Sequence, residues 1–198
     1  MSVRRSFLAF HDDLIPSAVK NCRIRVDLVL RSSDQVFVGA HKANLDQYSG
    51  RFPSVGVVST NYEVVAPPED GATLKHLMQY MHRQHYPEIQ GVPPDELFNL
   101  AEAAEKYEVH SAVAVCRTFI LTGLCKAPFP GYLSDGPLNA LSYAIKHRYL
   151  DIADAAAPYT LTNNMAQMKA GLNDETALFA WVSRCISTPE ARYVDHYL

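Results

Sequence analysis

The stretch Val36-Phe37-Val38-Gly39-Ala40-His41-Lys42-Ala43-Asn44-Leu45 decides how this chain folds. It begins with branched and aromatic residues, the composition of a strand. From His41 the pattern changes to a polar helical run, His41-Lys42-Ala43-Asn44-Leu45-Asp46-Gln47-Tyr48-Ser49. His41 therefore stands where a strand hands over to a helix. There its ring can hydrogen-bond nearby backbone while its body packs on the sheet, and Phe37 and Leu45 are expected to face the core across the corner. That is the role of a satisfied structural histidine rather than a catalytic one.

Upstream, Arg25-Val26-Asp27-Leu28-Val29-Leu30-Arg31 reads as a strand bounded by charge. Ser32-Ser33-Asp34 is turn chemistry, so this strand and the run from Gln35 to Val38 form a hairpin. Downstream, Gly50 and Pro53 bracket a short turn, and a loose stretch runs to Asn61. Tyr62-Glu63-Val64-Val65-Ala66 is a third short strand, stopped by Pro67-Pro68. Leu74, Leu77, Met78 and Met81 then fall at i, i+3, i+4 and i+7, one apolar stripe on a helical period. Asp70 or Thr73 can cap that helix, which stops before Pro87.

A helical hairpin follows. Its first arm is capped by Asp95 and turns Leu97, Leu100, Ala101, Ala104 and Tyr107 inward. Its second arm is capped by Ser111 and carries Val113, Cys116, Phe119 and Ile120. Lys126-Ala127-Pro128-Phe129-Pro130-Gly131 is the best candidate boundary. Beyond it, helices are expected from Ser134-Asp135-Gly136-Pro137 with Leu138, Leu141 and Ile145 inward, around 152–157, and from Asp174 with Leu178, Trp181, Val182 and Cys185 on one face.

These segments carry several residues that resemble a BTB/POZ domain in the family's order. An Asp leads the apolar opening strand, Asp27-Leu28-Val29-Leu30. An aromatic strand end with Phe37 runs into A-H-[KR]-x-x-L, here Ala40, His41, Lys42 and Leu45. The family's S-x-x-F follows as Ser49-Gly50-Arg51-Phe52. A leucine-rich helix ending near a Tyr is matched by Leu77-Met78-Gln79-Tyr80-Met81. An alanine-rich helix with Lys-Tyr is matched by Ala101-Glu102-Ala103-Ala104-Glu105-Lys106-Tyr107. The resemblance covers residues 22–122. The helices after it, with Pro137-Leu138-Asn139-Ala140-Leu141-Ser142-Tyr143, are similar to the tail of many fungal BTB/POZ proteins. It implies an α+β fold, a small mixed sheet flanked by helical hairpins and followed by an α-helical C-terminal segment. The implied division is an N-terminal arm (1–21), the BTB/POZ domain (22–122) and a helical extension (123–198).

The resemblance implies a scaffold or adaptor that works by protein–protein interaction, without catalytic activity or cofactor. The narrower alternative is a substrate adaptor of a cullin-based ubiquitin ligase, and the remote one an unrecognised metal-dependent enzyme. Dimeric family members use a helix before the first strand. Here Phe7, Phe10, Leu14 and Ala18 recur at spacings of three or four, although Pro16 would kink such a helix. The alternative is an arm folded back on its own domain. Cullin contact in the family depends on a hydrophobic-x-Glu triplet, whose nearest counterpart is Asn61-Tyr62-Glu63, with a polar first residue. Asp27 and Lys42 occupy positions where some dimeric members carry a charged pair. The plainer reading has Asp27 satisfying backbone amides and Lys42 solvated.

Composition narrows the rest. An apolar fraction of 48%, a charged fraction of 20% and a net charge of −3 suit an ordinary globular protein. The densest basic clusters, Arg4-Arg5 and Arg23 with Arg25, fall far short of a phosphate-binding stripe, so direct nucleic-acid binding is not expected. No run approaches the roughly 20 apolar residues of a membrane span. The apolar part of Ser6-Phe7-Leu8-Ala9-Phe10 is too short for a signal peptide. Cys22, Cys116, Cys125 and Cys185 are scattered, which suits free thiols in a reducing compartment rather than a disulfide framework or a zinc site. The expected location is intracellular, in cytoplasm or nucleus.

Catalytic patterns are missing from the sequence: no G-x-S-x-G elbow, phosphate-cradling glycine loop or dinucleotide fingerprint. Cys116 reads as a small core residue. Asp12-Asp13 and Asp95-Glu96 read as helix-start charges. His76, His82 and His85 are the best metal candidates, with His82 and His85 able to share a helix face, and are expected to be solvated side chains rather than ligands.

Overall fold

Leu28, Val29 and Leu30 are all buried, because β1 (Leu28–Arg31) has a strand on each side. The computed structural model describes residues 17–52, 63–125, 136–161, 163–172 and 174–187, with the side chains of Glu63, Cys125 and residues 184–187 excluded. Within it, β2 (Phe37–Ala40) pairs antiparallel to β1, from Leu28 opposite Ala40 to Arg31 opposite Phe37. On the other side, β3 (Glu63–Val65) pairs parallel to β1, with Val64 opposite Val29. The result is a small mixed three-stranded sheet of order β2-β1-β3 in a largely helical α+β chain. The Ala18 N–H donates to the Gly39 carbonyl (3.1 Å), so the arm's last residues run beside β2.

The hairpin turn is closed by Ser32, whose hydroxyl oxygen accepts from the Val36 N–H (2.8 Å), while Gln35 adopts a left-handed φ of 64°. Asp34 in the same turn accepts from Ser32 and from the Gly71 N–H (2.9 Å), the first amide of α2 (Gly71–Tyr80). Asp70 caps that helix by accepting from the Thr73 N–H (2.8 Å), as expected. The stripe residues Leu74, Leu77, Met78 and Met81 are at most 1% exposed. A Cβ on Gly71 would sit 2.7 Å from the Val36 Cβ, which explains a glycine there.

Two predicted caps lie elsewhere. The helix α3 (Pro94–Lys106) starts at Pro94, whose missing N–H is harmless at the first helical position, and Asp95 sits inside the first turn. The next helix, α4 (His110–Cys125), already includes Ser111, whose hydroxyl donates to the Tyr80 carbonyl (3.4 Å). Between them Glu108 is left-handed (φ 54°), and the Val109 N–H reaches back to the Ala104 carbonyl (2.9 Å). That is a Schellman helix end. The same device recurs after α5 (Gly136–His147), where Arg148 has φ 61° and the Tyr149 N–H reaches the Ala144 carbonyl (2.8 Å).

The remaining elements are α6 (Leu150–Ala156), a 3-10 turn (Ala157–Thr160), α7 (Met165–Gly171) and α8 (Glu175–Ser187). Of these α7 was not expected. It is started by a reciprocal pair in which Asn164 accepts from the Gln167 N–H and the Gln167 side chain accepts from the Asn164 N–H, both at 2.9 Å. Leu138 and Leu141 are buried as expected and Ile145 is half-buried. The Trp181 indole N–H donates to Thr160 Oγ1 (3.0 Å). The expected boundary at 126–131 and the helix start at Ser134-Asp135 lie outside the described residues.

Two compact units result. One holds the described residues up to Glu88 together with Ala103–Ala112. The second holds Ile89–Glu102 and the described residues from Val113 onward.

Candidate functional site

In the first unit the strand-to-helix corner brings together three side chains that are far apart in sequence. His41, 2% exposed, closes β2 and precedes α1 (Lys42–Tyr48). Its Nδ1 lies 2.9 Å from the Arg25 carbonyl oxygen. A carbonyl only accepts, so Nδ1 carries the proton and, in the neutral ring, Nε2 offers its lone pair. That Nε2 faces Cys22 Sγ (3.3 Å) and Ser17 Oγ (3.4 Å). The bonding of His41 to backbone is as expected.

His82 departs from expectation. It is buried, 8% exposed, rather than solvated, because it sits just past the end of α2 at Tyr80 with the Met78 carbonyl and the His41 ring against it. Its Nδ1 donates to the Met78 carbonyl (2.7 Å). The His82 and His41 rings meet edge to face, centroids 5.1 Å apart. Burial lowers the His82 pKa below the usual imidazole value; the Met78 bond opposes this and His41 adds to it. The shift favours the neutral ring, and its Nε2 is buried with no hydrogen-bond partner. His76 is half-buried, and exposed His85 lies beyond the helix, so His82 and His85 share no helix face.

Among the described residues, Cys22, His41 and His82 form a group whose ligand atoms all lie within 4.8 Å of one another. Cys22 is a half-buried free thiol and Cys116 a buried one. Thiolate and imidazole together are the donor set of zinc and other borderline-to-soft metal ions. Nothing in the sequence spacing announces this group, since Cys22 belongs to the segment before β1 and His82 to the exit of α2.

The other signature residues are structural in their contacts. Asp27 is exposed and accepts from the Lys42 N–H (2.8 Å), filling one of the free amides at the start of α1. With Asp27 exposed, a charged pair with Lys42 is worth under about 1 kcal/mol. Ala40 and Leu45 are buried. Phe37 is 40% exposed and does not face the core as expected. Strand alternation gives the inward face to Val38 and Ala40, and Phe37 stands opposite exposed Arg31.

Ser49 and Phe52 form a clamp. The Ser49 hydroxyl donates to the Tyr107 carbonyl (2.7 Å) and accepts from the Phe52 N–H (2.8 Å), and the Phe52 and Tyr107 rings lie 4.5 Å apart. Arg51 pairs with Glu108 (2.6 Å). The Tyr107 hydroxyl donates to Glu69 (2.6 Å), which also receives Lys106 (2.6 Å). Burial, with the bond and charge of Glu69, raises the Tyr107 pKa far above the usual phenol value.

Phe7, Phe10, Leu14 and Tyr62 lie outside the described residues, as does the side chain of Glu63, whose backbone belongs to β3. Exposed apolar side chains of this unit include Phe37 and Val64, the latter 46% exposed on edge strand β3. In the second unit an open apolar concavity is lined by Leu141, Ala144, Ile145, Leu150, Ala153 and Trp181. No described helix is long and apolar enough to cross a membrane. No protein-family model and no curated protein matches this chain.

Proposed function

We propose that this chain is a BTB/POZ-type protein-interaction module with a fungal-type helical extension, a scaffold or adaptor without catalytic activity. The observation that carries the reading is the Ser49 clamp. The S-x-x-F and Lys-Tyr segments, two of the matches on which the resemblance rests, are bonded to each other through Ser49, Phe52 and Tyr107. The strand hairpin turning into a helix at His41 and the parallel third strand also support it. Docking is assigned to the rim of the sheet unit, where Phe37 and Val64 expose apolar surface.

The test measures mass by light scattering for the full chain and for a chain lacking residues 1–20, alongside affinity capture from native cells. The expected result is either a dimer lost on removing the arm or a reproducible protein partner whose recovery falls with Val64→Asp. A full chain that stays monomeric and captures no reproducible partner overturns the reading. Recovery of a cullin, lost on substituting Tyr62 and Glu63, assigns the narrower ligase-adaptor role.

A further inference from the structure

We infer that Cys22, His41 and His82 form a binding site for one zinc ion. Three observations carry this, and none depends on the interaction reading. The ligand atoms are already gathered within 4.8 Å, with Cys22 Sγ and His41 Nε2 at 3.3 Å. In a tetrahedral zinc site with bonds of about 2.0–2.3 Å, neighbouring ligand atoms sit about 3.3–3.6 Å apart. The Cys22–His41 edge is therefore within about 0.3 Å of its final length, and the others, now no longer than 4.8 Å, have about 1.5 Å or less to close.

Both imidazoles are oriented from behind. His41 gives its Nδ1 proton to the Arg25 carbonyl and His82 gives its own to the Met78 carbonyl, which fixes the tautomer that leaves each Nε2 as the donor. This backbone-carbonyl support is what metal-bound histidines use to set ring orientation and raise basicity. Finally, His82 is more than nine-tenths buried and its Nε2 has no hydrogen-bond partner. Leaving that buried lone pair unpaired costs about 1–3 kcal/mol, which a bound metal ion offsets.

The donor set selects the ion. One thiolate and two imidazoles exclude the hard, oxygen-seeking calcium and magnesium and suit zinc. On binding, Cys22 loses its thiol proton to solvent and both histidines bind as neutral rings. Half-buried Cys22 gives the ion its way in, and a water completes the fourth position.

The experiment titrates the reduced, metal-free full chain with Zn2+ by calorimetry and with Co2+ by absorption. The expected result is one ion per chain with sub-micromolar affinity, a raised Tm, and for cobalt a thiolate charge-transfer band with intense tetrahedral visible bands. Cys22→Ser removes one ligand while leaving the circular dichroism spectrum unchanged. It should weaken Zn2+ binding at least ~100-fold, beyond the loss caused by an outer partner, and erase the charge-transfer band. The double variant His76→Ala with His85→Ala should bind like the parent. Failure of the parent to bind one Zn2+, unchanged binding in Cys22→Ser, or loss of binding in the His76/His85 variant overturns the assignment.

Discussion

The Ser49 hydroxyl donates to the main-chain carbonyl of Tyr107 at 2.7 Å, across 58 residues of sequence. The same oxygen accepts the Phe52 N–H, so one atom fixes both the turn after α1 and the turn after α3. Arg51 also donates its N–H to the Tyr107 carbonyl (3.2 Å), so loss of Ser49 strands the Phe52 amide more than the Tyr107 oxygen. Ser49→Ala should cost about 1–2 kcal/mol. Urea unfolding checks this; an unchanged midpoint and slope would show that the hydroxyl is dispensable.

Tyr107 tests the same junction from its other end. Its O–H donates to Glu69 and its pKa is raised, first by burial and then by that carboxylate. A raised pKa means the native state holds the proton more tightly. This contribution to stability is complete below the unfolded phenol value of about 10 and declines as pH rises above it. Tyr107→Phe should cost about 1–2 kcal/mol near neutrality, since Lys106 still pairs Glu69. It should also flatten part of the alkaline fall in Tm as pH rises above about 10. Equal alkaline slopes in parent and variant would remove Tyr107 from the account.

Asp34 acts at the opposite end of the pH scale. The Ser32 hydroxyl, opposed by desolvation and aided by the Gly71 amide, holds its carboxyl below the usual range. The sign is the reverse of the tyrosine case: the contribution is present above about pH 4 and lost as acid protonates the folded state. Asp34→Asn should therefore differ most from the parent near neutrality and converge with it as pH falls below about 4. Thermal melts across that range decide it, and a constant gap would contradict the assignment.

Gly71 sets two effects against each other. Alanine is the better helix former by up to about 1 kcal/mol. Its methyl would meet the Val36 Cβ at 2.7 Å, and a β-branched side chain cannot swing aside freely. Overpacking costs about 1–3 kcal/mol, so Gly71→Ala should destabilise. Val36→Gly, which removes the Cβ itself, should recover most of that loss, giving a coupling of about 1 kcal/mol or more in a double-mutant cycle. Additive effects would mean that the two side chains do not collide.

Local signals carried most of the fold. The α2 stripe was readable because a 3.6-residue period says which side chains turn inward, and the hairpin because Ser32 and Asp34 bond their own turn. The α7 start is also written locally, in Asn164 and Gln167 at the spacing of a reciprocal cap. Phe37, expected to face the core, lies on the other face because it alternates with buried Val38. The burial of His82 depends on where α2 stops, which the helical period alone does not say. The Cys22, His41 and His82 group could not be read, because no local pattern says that the segment before β1 returns to the exit of α2.

The left-handed backbone at Glu108 and Arg148 has a consequence for how far this fold can be improved. Glycine reaches that conformation without strain, whereas a residue with a Cβ gives up about 1 kcal/mol or more. Glu108 recovers part of the difference through Arg51, whereas exposed Arg148 makes no ion pair among the described residues. Thermodynamic headroom is therefore left at the end of α5, and the chain rests below the ceiling its own backbone permits, as expected where selection asks only for enough.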